Sequence, residues 1–549
     1  MYLEDLPPLL KIQTDAKTPT MENLLNYLTA IALAIFLCSC NAKPSTETPV
    51  ESPSLTYSES YKAPVFLNDV RKEEILKMAP EIQQLMEAHA ENRHIPGIAY
   101  GIVVDNELIL ASATGSMNIE QEMPATPSSS FRIASMTKSF TAMAILKLRD
   151  EGKLTLADPV SKYIPEVANL EYLTRDAPAI TIENLLTMTA GFPEDNPWGD
   201  RQLDEPDQML MDLVREGVSF ANVPAYAFEY SNTGYALLGH IISQVAGLPF
   251  QDYISQNILL PLGMAHTYWE YDSVPATQLA LGYRWEDEQW KLEPLLHDGS
   301  FGAMGGLITS IEDFSKYVSY LLSAWPPRNE EDHGPVKRSS LREMQTSQFS
   351  RLYPNEEDFN GDPCAVMAGY GYGLGIAEYC SGLRRVSHGG ALPGFGSNYV
   401  FFPEYGIGVM AFCNLTYTSP YPFREIGKLL FGNELIKPRQ LPVSDILLER
   451  QAQVTQLIQH WEPDLEAELL AENFFLDKSR EKRMSDTQDI LQQAGPLGAI
   501  GDLEPENQLR GRYEIQAENG TIRIFFTLTP ESSPKVQQLN LSFQPKSEQ

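Results

Sequence analysis

The chain has 549 residues, 43% of them hydrophobic, and a formal net charge of −32. That length allows two or more domains and a large core. So acidic a surface repels nucleic acid and anionic lipid, which argues against a nucleic-acid partner.

In chain order, the first feature is "LTAIALAIFLCSC" (28–40), an apolar run of roughly a dozen residues. A bilayer span needs about 20, so the run reads as the apolar region of a signal segment. It ends in Leu37-Cys38-Ser39-Cys40, which resembles a bacterial lipobox. The resemblance implies a lipid on Cys40, which would be the mature N-terminus, and a protein anchored to the bacterial cell envelope, on the periplasmic side or the surface. Met21 to Leu28 lacks the usual Lys or Arg, and Lys11 and Lys17 lie further upstream. A plain cleaved signal or an uncleaved anchor would also export the chain. Residues 41–74 follow as a tether; 41–60 is rich in Pro, Ser and Thr and too polar to fold alone.

Residues 75–437 read as one domain. "EEILKMAPEIQQLMEAHAEN" has helical apolar spacing, and "GIAYGIVVDNELILASATG" (97–115) predicts two strands around an Asp105-Asn106 turn. "SMTKSFTAMAILKLRDEG" (135–152) is helical, with Gly152 suited to its C-terminal cap. "ITIENLLTMTAGF" (180–192) predicts a helix from Thr181 to near Gly191. "NTGYALLGHIISQVAG" and "PFQDYISQNILLPLG" are further helices. "TSIEDFSKYVSYLLSA" opens on an expected capping box from Thr309 to Glu312. The period then changes to strands: "YGYGLGI" (370–376), "RRVSHGG" (384–390), "GSNYVFFP" and "GIGVMAFCN". This order predicts an α+β fold, an antiparallel sheet flanked by helices plus a helical subdomain, in which strands from both ends must pair. Residues 438–549 read as a small α+β domain, faintly similar to the nuclear-transport-factor-2-like cone. It has an amphipathic helix, a hairpin over Asn519-Gly520 and a strand over 536–543.

The five cysteines include no CxxC and no Cys/His zinc spacing. Cys364 and Cys380 are either a disulfide pair or buried free thiols. No HExxH, Walker loop or GxSxG elbow occurs, and no metal or cofactor is implied.

Three segments have the form Ser-x-x-Lys: Ser135–Lys138, Ser479–Lys482 and Ser532–Lys535. A hydroxyl needs a base within reach, and lysine serves only where burial lowers its pKa. Ser532–Lys535 spans a proline in a turn, and Ser479–Lys482 lies in the charged stretch "DKSREKR". Only Ser135–Lys138 has apolar shielding, from Ile133, Ala134, Met136 and Phe140, and a helix start beneath it.

Two later segments complete a pattern: Tyr230-Ser231-Asn232 in "FEYSNTGY" and His388-Gly389-Gly390 in "VSHGGALPGFGS". With Ser135–Lys138 they resemble the serine β-lactamase and penicillin-binding-protein superfamily. The tyrosine form is similar to the class C β-lactamase branch, which includes D,D-peptidases, D-aminopeptidases and family VIII esterases. The resemblance covers roughly 75–435 and implies an S12-like serine hydrolase. Ser135 would be the nucleophile, with Lys138 and Tyr230 sharing proton transfer; which of them is the base stays open. Asn232 would orient the substrate amide. The backbone N–H groups of Ser135 and Ala391 would form the oxyanion hole. Gly389 and Gly390 would let substrate lie on the strand edge. His388 stands where β-lactamases and D,D-peptidases mostly carry lysine. A histidine, largely neutral at pH 7, grips a carboxylate less well. The implied substrate is a small peptide, amide or ester. The alternatives are a catalytically silent binding or sensing protein and a true class C-like β-lactamase.

His240 reads as a packing residue, and His297-Asp298 as either a pair near the pocket or loop structure. Trp198, Tyr283 and Trp285 would line the cleft or simply pack.

Overall fold

β1 (Gly97–Val104) is buried along its whole length, which requires cover on both faces of its sheet. Its side chains alternate between two cores. Ala99 and Val103 face one apolar cluster; Ile98, Tyr100, Ile102 and Val104 face another. β8 (Ile407–Cys413) does the same, with Met410 and Phe412 in the first cluster and Val409, Ala411 and Cys413 in the second. The computed structural model describes residues 56–546. The run read as a signal segment, with Cys40, lies outside the described residues.

The main sheet is antiparallel throughout, with α1 (Arg71–Asn92) preceding its first strand. In spatial order it contains the two-residue strand Met123–Pro124, β2 (Glu107–Asn118), β1, β8, β7 (Phe395–Phe402), β6 (Arg384–Leu392), β5 (Gly375–Tyr379), β4 (Val366–Tyr370) and β3 (Phe349–Tyr353). The two ends of the domain close on each other by pairing of β1 with β8, from Ile98 opposite Cys413 to Val104 opposite Ile407. α1 and α5 (Phe423–Phe431) supply Ile75, Ile82, Met86, Ile426 and Leu430 to one cluster. The other cluster is larger. It takes in α2 (Thr137–Asp150), α3 (Asn232–Ala246) and α4 (Ile311–Leu322) from the helical middle of the chain. This α+β layering is the class expected from the element order.

Local expectations hold with shifts set by capping. The predicted helix over 180–192 is only Ile182–Leu186. Thr181 and Asn184 cap its start reciprocally, and Met188 at φ 56° turns the chain away. The cap of α4 is Ser310, whose hydroxyl accepts from the Asp313 N–H, one residue on from the expected Thr309–Glu312 box. The expected helix after Pro249 is α-helical for Phe250–Ile254 and then widens over Ser255–Leu259. The strand read over 370–376 is broken, because Gly373 at φ 69° reverses the chain between β4 and β5. Cys364 and Cys380 form a disulfide.

The C-terminal region has its own sheet and core. α6 (Asp445–Gln459) and α7 (Arg480–Ala494) precede a five-stranded sheet built on β9 (Arg510–Ala517), β10 (Gly520–Leu528) and β11 (Val536–Pro545). Leu447, Val454, Phe474, Tyr513, Ile522 and Phe526 pack within it. The hairpin turn is Glu518-Asn519, because Ala517 pairs with Gly520.

Asn414 ties three segments together beside the junction of β1 and β8. Its Oδ1 accepts from the Gly97 N–H at 2.8 Å, and its Nδ2 donates to Ser116 O at 3.1 Å and Leu281 O at 3.0 Å. Asn414→Ala should strand these groups and destabilise the fold by about 1–3 kcal/mol. The loss is read as a lower urea midpoint; an unchanged midpoint would refute this account.

Candidate active site

The chain reaches Ser135 through a strand and a strained turn. Phe131 and Arg132 pair with Thr309 and Ile308. Ala134 then enters the left-handed region at φ 50°, and residues Ala134–Met136 form one 3₁₀ turn ahead of α2. Ser135 therefore sits in this turn and not in the first turn of an α-helix. The turn is clamped to the sheet, because the Ser397 hydroxyl donates to Ile133 O at 2.7 Å. Non-glycine residues adopt positive φ at a cost that surrounding contacts must offset.

Lys138 has no exposed surface. Its Nζ lies 3.0 Å from Ser135 Oγ, 2.7 Å from Asn232 Oδ1 and 3.0 Å from Met304 O. A neutral amine has two N–H groups and one lone pair. The carbonyl oxygens of Asn232 and Met304 can only accept, so they take the two N–H groups and leave the lone pair for Ser135. Burial pulls the Lys138 pKa down to about 7, against the opposing pull of Asp200 and Asp195.

Tyr230 faces the same hydroxyl. Burial pushes its phenol well above the usual range, nearby Asp200, Asp195 and Glu194 add to this, and only a hydrogen bond with Ser135 opposes it. A Lys138 ammonium beside the ring would favour a phenolate. It lies 5.0 Å from the ring centroid, and burial prevails.

Asn232 is fully buried at the start of α3. Its Oδ1 accepts from Lys138, and its Nδ2 donates to Asn196 Oδ1 at 3.1 Å. Both ends of the amide are engaged within the protein. Asn232 holds Lys138, its Nδ2 keeps a second N–H beyond the bond to Asn196, and Asn196 is among the cavity-lining residues.

His388 is also locked. Nδ1 donates to Gly389 O at 2.5 Å, which leaves Nε2 to accept from the Tyr370 hydroxyl at 3.0 Å. Burial, then Lys138, depress its pKa to about 3. The ring is neutral and has no free N–H for a substrate carboxylate.

β6 pairs with β5 only as far as Ser387, opposite Gly375. Beyond that point this edge is open. Leu392 pairs with Phe395 across a two-residue turn, so the alternation of the ladder turns the Ala391 N–H away from β7 and toward the open edge. Gly390 has a different reason to lack a side chain from the one expected. An added Cβ would lie 2.2 Å from Ile133 O and 2.3 Å from Ser397 Oγ, so this glycine makes room for the turn carrying Ser135. Gly389 is the exposed member of the pair.

These groups surround a cavity of about 730 Å³ lined by Ser135, Tyr230, His388, Gly389, Gly390 and Ala391. Asn196, Asp200, Tyr370, Ser397 and Tyr417 complete much of the rest. A Beta-lactamase family model matches residues 82–431. The chain belongs to the Beta-lactamase family.

Among relatives of this family member is Protein flp of Staphylococcus aureus (strain COL). It is 29% identical over 341 residues, which cover 61% of this chain and 63% of that protein. Beta-lactamase-like protein 2 of Dictyostelium discoideum is 30% identical over 276 residues, covering 49% and 50%. The chain thus spans less than two thirds of the length of these relatives. Among solved structures, the octameric penicillin-binding protein homologue of Pyrococcus abyssi aligns with a TM-score of 0.53 at 24% identity, covering 85% of this chain and 98% of that one. A class C β-lactamase aligns at 0.52 with 19% identity, covering 66% and 98%. At these identities the likeness is one of fold.

Sequence reasoning missed Asp195, Asn196, Asp200 and Tyr370. Asp195 accepts from the N–H groups of Asn232 at 2.6 Å and Thr233 at 2.9 Å, and so caps α3 from a distant loop. No spacing rule links "PEDNPWGD" to residues 30 to 40 positions later. The other Ser-x-x-Lys segments differ as expected. Ser479 only caps α7, and Lys482 pairs with Asp486, which raises its pKa. His297 pairs with Glu270 at 2.9 Å, not with Asp298. Trp198 packs on Phe301, Trp285 stacks on His94, and the Tyr283 hydroxyl donates to Glu120. None of the three aromatics is among the cavity-lining residues. His240 lies on α3, with Nε2 against Gln244.

Lys138 carries a proton in the unfolded chain up to about pH 10.5 but loses it near 7 when folded. Between these values the unfolded state binds more protons, so Lys138 makes stability rise with pH. In urea titrations from pH 7.5 to 9.5, Lys138→Met should flatten that rise. An unchanged slope would contradict the burial argument.

Proposed function

We propose that the protein is an exported serine hydrolase that cleaves an ester or amide through an acyl-serine. The observation that carries this reading is the contact of Lys138 Nζ with Ser135 Oγ at 3.0 Å, with the other two Nζ partners being acceptors. Ser135 Oγ attacks the substrate carbonyl carbon while its proton passes to the Lys138 lone pair. The carbonyl electrons move onto oxygen, which the N–H groups of Ser135 and Ala391 stabilise. As the tetrahedral species collapses, the bond to the leaving group breaks, and that group takes the proton held on Lys138. Tyr230, kept protonated, relays or donates it. A water molecule then attacks the acyl-serine by the reverse proton path and regenerates Ser135.

The substrate class is a small D-amino-acid peptide or amide, a cell-wall-derived fragment or a small ester. The neutral, fully bonded His388 argues against tight carboxylate binding, and so against a β-lactamase that relies on it. A silent binding protein would have no need of a desolvated lysine trained on a hydroxyl. Export to the bacterial envelope, with a lipid on Cys40, belongs to the same proposal; the Cys364–Cys380 disulfide supports an oxidising compartment. We take 438–549 as a second domain. The cavity-lining residues lie between Ser135 and Pro420, so it acts, if at all, from outside the cavity.

Wild-type protein should form an acyl adduct with a nitrophenyl ester or a fluorophosphonate, seen by intact mass. Ser135→Ala should abolish it, and labelling that survives in this variant sinks the reading. Lys138→Arg, charged at every accessible pH, should slow acylation by about 10²–10⁴-fold. In the wild type acylation should climb with pH and level off above about 7, as Lys138 loses its proton. A Tyr230 base would instead give a rise continuing into the alkaline range.

A further inference from the structure

Two adjoining cavities lie along β11, the strand at one end of the C-terminal sheet. One, of about 530 Å³, runs between β11 and α7; the other, of about 410 Å³, lies beside the short helix Phe474–Asp477. Arg483, Leu539 and Asn540 line both, and neither cavity shares a residue with the one around Ser135. Arg483 is set in place by the protein itself. Its Nε donates to Phe474 O at 3.0 Å and Lys478 O at 3.2 Å, and its guanidinium lies 4.0 Å from the centroid of the Phe474 ring. That leaves the two terminal nitrogens as donors in a fixed fork. Among the described residues these nitrogens have no hydrogen-bond partner, and neither do the side-chain amides of Gln538 and Asn540.

The charges lining the two cavities balance. Asp486 pairs with Lys478, and the charge of Asp477 acts on Arg483. No net charge of these lining residues selects an anion or a cation. What remains is a set of amides that both donate and accept, from Asn473, Gln537, Gln538 and Asn540, beside half-buried apolar surface from Trp461, Ile490 and Leu541. A pyranose carries the complementary chemistry. Its hydroxyls accept from a guanidinium or amide N–H and donate to an amide or carboxylate oxygen, and its ring C–H groups pack on apolar surface. We infer that these cavities bind a neutral oligosaccharide, so that the C-terminal domain holds the protein on a glycan and leaves the cavity around Ser135 free. This goes beyond the acyl-serine reading and does not depend on it.

Isothermal titration of the full chain with cellotetraose, maltotetraose and N-acetylchitotetraose tests it, with tetragalacturonate as an anionic control. At least one of the neutral sugars should bind with a Kd of about 1 mM or tighter. Arg483→Met keeps an apolar stem over Phe474 but loses the fork, and Asn540→Ala changes an exposed side chain. Each should weaken that binding by about threefold to tenfold. No binding of any neutral sugar up to about 10 mM overturns the inference, and this arm needs no variant to fold. Binding that is unchanged in both variants also overturns it, because the sugar would then sit elsewhere on the protein. A clear preference for tetragalacturonate overturns it too, since the cavities would then select an anion.

Discussion

A lysine with no exposed surface is the constraint around which the site is built. Removing an ammonium from water is costly, and the protein meets that cost by lowering the pKa of Lys138 and by giving its Nζ fixed partners. Each partner comes from a different part of the chain. Ser135 lies on the 3₁₀ turn before α2, Asn232 at the start of α3, and Met304 on the short helix Gly302–Gly305. Placing Lys138 therefore fixes three segments at once. The clamp of Ser397 on Ile133 and the missing side chain at Gly390 hold the turn to the sheet.

The electrostatics of the cleft follow from the same burial. Desolvation neutralises His388, holds Tyr230 as a phenol and raises Asp200 to about 6. Lys138 and Asp200 move toward each other in pKa, one down and one up, each restrained by the other's charge. Among the described residues that line this cleft there is a carboxylate, Asp200, and no lysine or arginine. His388 adds no charge, and Tyr370 and Gly389 fix its ring in place.

The scaffold is a sheet with two filled faces. β1 and β8, from opposite ends of the domain, lie side by side as the third and fourth of its nine strands and divide their side chains between two cores. That arrangement leaves the far end of β6 unpaired on one side, where the Ala391 N–H points toward the cavity. The C-terminal sheet has a separate core and supplies none of the lining residues.

Sequence alone determined the elements whose signals are local. Apolar period marked α1, α2 and α3, a turn signal and glycine-broken runs marked β1 and β7, and the shielding of Ser135–Lys138 set it apart from Ser479–Lys482, which is merely a helix cap. The same local logic erred by a residue or more wherever capping chemistry set the boundary, as at Ser310 and Leu186. Tertiary structure alone decided what each site residue does. Asn232 holds Lys138 and bonds Asn196, Gly390 makes room for a turn, and Asp200 joins the cavity from a loop with no motif. The reason is physical: a residue's type and spacing set what it can donate or accept, while burial and the partners brought by distant segments set whether that capacity is already spent.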